Sequence, residues 1–177
     1  MSNINLPVIS SSSGFNKYLQ EINNIPSLTK EEEFLLAKNY LENNDLEAAH
    51  RLVLSHLKLV VKIAIKYKNY GLPLPELVSE GNIGLMQAVK KYDHKLGFRL
   101  STYAMWWIKA SIQEYVLKSW SLVKIGTTSA QKKLFFSLGK IKHRIINTYA
   151  RAINDQDYQE MADELGVSLK EVVEMDQ

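Results

Sequence analysis

The chain has 177 residues, 46% of them hydrophobic and 23% charged, with no Cys and a formal net charge of +3. That length bounds it to one or two small domains with enough apolar content for an interior, and the lack of Cys excludes disulfides and thiolate metal sites. No apolar run reaches the roughly 18 residues that a membrane span needs and no basic-then-apolar leader opens the chain, so a cytoplasmic setting without a membrane span is expected.

Charge is spread unevenly. Residues 1–57 carry four Lys/Arg and seven Asp/Glu, residues 145–177 carry two and eight, and the middle holds the basic excess. A basic stretch between acidic flanks points to a polyanion bound at one place.

Residues 1–14 are polar, with a Ser run from Ser10, and read as a flexible leader. A short helix is expected over 15–25, ending before Pro26. Thr29 with Glu32 three residues on is a capping box that opens the next helix, and Glu31, Glu32 and Glu33 suit its dipole. Asp45 caps a long helix expected over 46–69, with Leu52, Val53, Leu57, Val60, Val61, Ala64 and Ile65 on its apolar face. Lys58, Lys62 and Lys66 make a cationic stripe on the other side, either a solvated face or a polyanion contact. Gly71 and Pro73 stop it.

Pro75 is expected at the first position of a helix over 75–92. Gly81 and Gly84 share one of its faces, for close internal packing or for contact with another protein. The next helix, over 101–119 with Ser101 as cap, lies in residues 98–120, which hold all three Trp residues with Phe98, Tyr103 and Tyr115. Between Lys95 and Arg144 there are ten Lys/Arg and one acid, Glu114. Rings on a basic helix suit single-stranded nucleic acid, where bases stack and cations follow phosphates; the competing reading is an apolar interior. Helical spacing puts Tyr103, Trp107 and Ala110 on one face and Trp106, Lys109 and Gln113 on a neighbouring one, with Ile108, Ile112, Tyr115 and Val116 inward. An extended link follows over 123–128, then a basic helix over 129–150. The end reads as helix–turn–helix, with Gly166 at the turn and Ser168 capping the last helix. The fold class is all-α. There is no nucleotide-binding loop, no zinc-protease motif and no paired carboxylates. No cofactor, no metal and no catalytic residue are expected.

The stretches NIGLMQAVKKYD and GFRLSTYAMWWIKASIQEYV, preceded by SHLKLVVKIAIKYKNYG, resemble bacterial sigma factors of the sigma-70 family over roughly residues 26–177. The segment WSLVKIGTTSAQKKLFFSL is similar to the heat-shock (sigma-32-type) branch, whose box here is residues 131–139, with Ser137 and Gly139 where the branch has Asn and Arg. The resemblance implies a leader (1–14), sigma regions 1.2 and 2 (15–122) that bind polymerase and the −10 element, and sigma region 3 (123–177). It implies core RNA polymerase, through a coiled coil of its largest subunit, and promoter DNA, including the non-template single strand, as partners, with chaperone or protease regulators.

Residue roles follow from the same resemblance. Glu76, Leu77, Ser79, Glu80, Asn82 and Met86 match the polymerase-docking helix, and Gln131, Lys132, Lys133, Leu134, Phe135 and Phe136 match the box that helps to hold polymerase. Docking would leave the Gly81/Gly84 face exposed to the partner, with Ile83 and Val89 in the interior. Tyr103 matches the ring on which a flipped adenine stacks, Trp106 and Trp107 the pair that wedges the edge of the bubble, and His56 a position that takes a second flipped base. Ala110 and Gln113 match the pair that reads the upstream −10 base pair; housekeeping members have Gln and Thr there, so a different −10 preference is expected. Lys124, Thr128 and Gln131 match positions near the extended −10 DNA. Lys95, Arg99, Lys109 and Lys118 would neutralise phosphates. The resemblance makes the chain a promoter-melting, stress-responsive transcription factor that binds and does not catalyse; a short decoy that occupies polymerase without initiating is the alternative. The branch's −35-reading domain follows the region matched here, so the chain alone is expected to lose −35 recognition.

Overall fold

The computed structural model describes residues 12–120 and 129–176, and their regular structure is entirely helical. Eight α-helices follow in order among them: α1 (Ser12–Asn23), α2 (Lys30–Asn43), α3 (Leu46–Ala64), α4 (Leu74–Lys91), α5 (Leu100–Trp120), α6 (Ser129–Tyr149), α7 (Asp155–Leu165) and α8 (Leu169–Asp176). Helix α1 begins at Ser12, earlier than expected, so Ser12 to Gly14 are helical. The chain divides between Ser119 and Trp120 into two compact units, each described by itself.

In the first unit the caps are those the residues dictate. Thr29 Oγ1 accepts from the Glu32 N–H at 3.2 Å and the Glu32 carboxylate accepts from the Thr29 N–H at 2.8 Å. Asp45 Oδ1 accepts from the N–H groups of Glu47 and Ala48. Asn44 takes a left-handed conformation between the two helices, with φ 52°.

Helix α3 ends sooner than its apolar periodicity suggests. After Ala64 the chain tightens into a 3₁₀ segment, Ile65–Tyr70, before Gly71 turns it at φ 75°. Ile65, expected on the inner face, is exposed as a result. Helix α3 packs on α2 and α4, and Leu52, Leu57, Val60, Ile63 and Ala64 are buried. From the cationic stripe, Lys58 is used internally, its Nζ donating to the Ile25 carbonyl at 2.9 Å.

Leu74 rather than Pro75 opens α4, with Pro73 before it, a shift of one residue of the size at which helix ends vary. Its glycines settle the question left by the sequence, because both are buried. A Cβ on Gly84 would lie 2.6 Å from the Trp107 carbonyl oxygen and 2.8 Å from Ser111 Oγ. One on Gly81 would lie 2.6 Å from Val60 Cγ1 and 3.1 Å from Ile112 Cδ1. The glycine face therefore seats α5 and α3, which corrects the expectation that it faces a partner. Val89 is buried as expected, whereas Ile83 is 43% exposed.

Helix α5 turns Leu100, Ala104, Ile108, Ile112 and Val116 fully inward. Tyr115, expected among them, is only half-buried and donates its hydroxyl to Glu76. The N-terminus of α5 also differs from expectation. Ser101 lies inside the helix, and the Leu100 N–H is met at 2.7 Å by a carboxylate from another element, Glu33 Oε1.

In the second unit, Leu138, Ile141 and Ile145 of α6 pack with Met161 and Ala162 of α7 and Val172 of α8. Asn154 and Asp157 form a capping box for α7, Gly166 turns the chain at φ 66°, and Ser168 exchanges backbone and side-chain bonds with Glu171 to start α8. Arg151 grips Asp157 with both Nη atoms and holds its carboxyl below the usual carboxylate range. Asp176 accepts from Tyr158 at 2.5 Å, which pushes that phenol up to about 12, and also from Lys142. The helix–turn–helix thus closes this unit's own interior.

Candidate functional site

The outer side of α5 carries the most exposed aromatic ring among the described residues. Trp106 is 68% exposed, with the Lys109 ammonium 5.6 Å from its ring centroid. Exposed Ala110 and half-buried Gln113 continue the same stripe at one-turn spacing. Beside it Tyr103 and Trp107 meet edge-on at 6.2 Å, Tyr92 lies 6.1 Å from Tyr103, and the Lys91 ammonium sits 4.6 Å from the centroid of Trp107. Cations held over half-open rings leave π-faces and positive charge on one surface, the two features that unpaired bases and their phosphates use. Lys91 was not among the residues singled out from the sequence. Its signal lay at the end of α4, a helix away from the ring it covers.

Gln113 does not stand alone, because its Nε2 donates to the Tyr67 hydroxyl at 3.0 Å. Lys118 pairs with Glu114 at 2.9 Å on an exposed turn. Exposed Lys95 donates its backbone N–H to Asp93, and exposed Leu96 and Phe98 follow in the loop that leads into α5.

His56 and Arg99, both matched to DNA contacts, turn polar groups to the fold itself. His56 is buried, its Nδ1 lying 2.8 Å from the Leu52 carbonyl and 3.0 Å from Ser55 Oγ, its Nε2 3.7 Å from Glu33 Oε2. Burial pushes the imidazole below its ordinary range, against the opposing pull of the Leu52 carbonyl and Glu33. His56 thus stands as an interior group in this structure, its polar edges turned to α2 and its own helix. Arg99 is placed differently too. Its Nε lies 3.2 Å from both Glu33 oxygens, and Nη2 reaches Glu33 Oε2 and the Leu28 carbonyl, each at 3.1 Å. Only 43% of its side chain is exposed, so its cationic fork serves the fold first.

Glu33 is a second residue whose part sequence reading missed. At 2% exposure it joins α2, α3 and the start of α5. Its sequence signal was that of a third acid in the first turn of α2, which describes the helix dipole and not a tertiary bond.

On α4 the exposed stripe runs Glu76, Ser79, Ile83 and Met86, with half-buried Glu80 beside it. Acids flanking two exposed apolar side chains make a surface fit for a basic, partly apolar partner helix. Leu77 lies in the interior, at 0% exposure. Asn82 turns its amide nitrogen to the Tyr18 hydroxyl at 3.3 Å. In the second unit Lys132 and Lys133 are exposed and Gln131 half-buried, whereas Leu134, Phe135 and Phe136 are buried, the two rings packed edge to face at 5.2 Å. Lys132 and Lys133 are therefore the outward-facing part of this box. Lys124 and Thr128 lie outside the described residues. Among the described residues there is no cluster of three metal-ligating side chains, and no helix is long and apolar enough to cross a membrane.

Comparison with known proteins decides the family. Sigma-70 region 2 matches residues 52–121 and Sigma-70 factor, region 1.2 matches residues 15–46, together more than half of the chain. The chain belongs to the sigma-70 family. It is similar to an RNA polymerase sigma factor RpoH of Rhizobium radiobacter, 56% identical over 181 positions that cover 99% of this chain and 59% of that protein. The RpoH of Zymomonas mobilis is 55% identical over 170 residues, 96% of this chain and 56% of the relative. An RNA polymerase sigma-C factor of Myxococcus xanthus is 46% identical over 168 residues, 95% of this chain and 57% of the relative. Within the sigma-70 family the chain is thus RpoH-like, and it spans under three-fifths of the length of these curated relatives. The region 2 match takes in most of α3 and all of α4 and α5, the last two being the helices that carry the acidic, apolar stripe and the aromatic face.

Proposed function

We propose that this chain works as an alternative, heat-shock-type sigma factor: it binds core RNA polymerase, takes hold of the −10 promoter element and favours strand opening by capturing unpaired bases. The observation that supports this reading most is the cation-flanked aromatic face of α5, with Trp106 68% exposed. Opening about a dozen base pairs costs stacking of roughly 1.4 kcal/mol per step. Each base captured on a ring returns about 1–3 kcal/mol, and Lys91, Lys95 and Lys109 add salt-dependent attraction for phosphates. Captured bases offset only part of the cost, so contacts made by the polymerase must supply the remainder, and the chain acts by binding and not by catalysis.

Tyr103 takes an unpaired base, Trp106 and Trp107 wedge the edge of the bubble, and Ala110 with Gln113 faces the upstream base pair. The stripe of Glu76, Ser79, Glu80, Ile83 and Met86 docks on the coiled coil of the largest polymerase subunit, with Lys132 and Lys133 as the outer side of a second contact. A chain acting on the bacterial polymerase works in the cytoplasm, within reach of chaperone or protease regulators. Run-off transcription from a −10-bearing bubble template with core polymerase tests the reading. A transcript that depends on the chain is expected, and polymerase binding without one would overturn it.

A further inference from the structure

A glutamine amide has one acceptor and two N–H donors. In Gln113 one of those donors is committed, because Nε2 is bonded to the Tyr67 hydroxyl at 3.0 Å. Tyr67 belongs to the 3₁₀ segment Ile65–Tyr70, the place where α3 abandons α-helical winding. The tighter turn brings a half-buried phenol beneath the outer stripe of α5. Its ring also lies 6.1 Å from that of Tyr70, and burial pushes its phenol above the ordinary range. What Gln113 retains for a ligand is Oε1 and one N–H.

That remainder has a shape. Adenine shows a donor, N6–H, beside an acceptor, N7, on its major-groove edge, and the pair matches Oε1 and one N–H. Guanine shows two acceptors there, N7 and O6. An amide held by its nitrogen can satisfy one of them and sets Oε1 against the other. An unheld amide can turn and offer guanine both N–H groups. We propose that Tyr67 is a specificity-positioning residue: by holding the Gln113 amide it makes α5 favour adenine over guanine at the base pair that Gln113 meets. This rests on the reading of α5 as the promoter-facing helix. Ala110, one turn away and exposed, has no polar group with which to compensate.

The test uses the whole chain bound to core polymerase, titrated with fork-junction DNA that carries adenine or guanine at the upstream −10 pair. The parent chain should prefer adenine by about five-fold or more, the scale of a bidentate contact. Tyr67→Phe keeps the packed ring and removes the hydroxyl. It should cut that preference by at least about three-fold, chiefly through tighter guanine binding, with polymerase affinity and helical content unchanged. In a Gln113→Ala background the preference should vanish and Tyr67→Phe should have no further effect. A Tyr67→Phe chain that kept the full adenine preference would overturn the positioning role alone. Adenine preference surviving Gln113→Ala would overturn base reading by α5 itself, so the two failures are distinguishable.

Discussion

Glu33 holds its position through bonds and not through exposure. Its carboxylate is 2% exposed, pairs with Arg99 and accepts the Leu100 N–H at 2.7 Å. Glu33→Ala removes a buried acceptor and leaves a helix N–H unmet, and Arg99, half in water, softens the loss. A destabilisation of about 2–3 kcal/mol is expected in urea unfolding, and Glu33→Gln, which still accepts from Leu100, should cost about half as much. His56 gives a second outcome at this scale. Burial lowers its folded pKa, so the unfolded chain binds the proton more readily. Its contribution is therefore intact above the unfolded value of about 6.5 and is lost as pH falls below it. Unfolding midpoints at pH 7.5 and 5.5 should show this acid loss, and His56→Asn should reduce it. Neither residue's burial could be seen in the sequence. An acid in a first turn and a histidine in a lysine-rich helix both read as surface, and only the crossing of α2, α3 and α5 encloses them.

At the scale of the element, what depends on a few neighbouring residues was legible. The Thr29/Glu32 box, the Asp45 cap, the Gly166 turn and the Ser168 cap are local bonds, and all are present. The inner face of α5 was legible from spacing at Ile108, Ile112 and Val116. The cap of α5 was not, since a distant carboxylate supplies it and Ser101 is left inside the helix. Nor was the function of the glycines, because a Gly pair marks a close approach without saying what approaches. Their packing makes unequal predictions. Gly84→Ala gains about 1 kcal/mol of helix propensity but drives a methyl to 2.6 Å from the Trp107 carbonyl, part of the α5 backbone. The helices must separate, and a net loss of about 2 kcal/mol is expected. Gly81→Ala meets the side-chain methyls of Val60 and Ile112, the second at the end of its chain. It should cost less. Equal midpoints for the two variants in the same urea titration would show that the α4–α5 contact yields more than its geometry suggests.

Over the whole molecule, charge is divided unevenly along the chain. The acidic ends at 1–57 and 145–177 bracket a basic middle, and within it the cations divide by what they touch. Lys58 is spent on the Ile25 carbonyl and Arg99 on Glu33. Lys91 and Lys109 instead lie over Trp107 and Trp106. Cations of the second kind are the ones that can exchange water and salt for phosphate when a strand is laid across the rings. If they do, log-affinity for a single strand should fall linearly with log-salt, by about 0.7 for each phosphate neutralised. Lys109→Gln in the polymerase-bound chain should then flatten the slope for a −10 bubble by about that amount and lower affinity at low salt most. Lys17→Gln, in the acidic N-terminal flank where Lys17 faces Glu21 at 3.9 Å, should leave the slope unchanged. The contrast is read by titrating the bubble at several salt concentrations. A slope that ignores Lys109 would mean that Trp106 meets its ligand without a phosphate beside it, and the cation over the ring would then serve only to hold the indole in place.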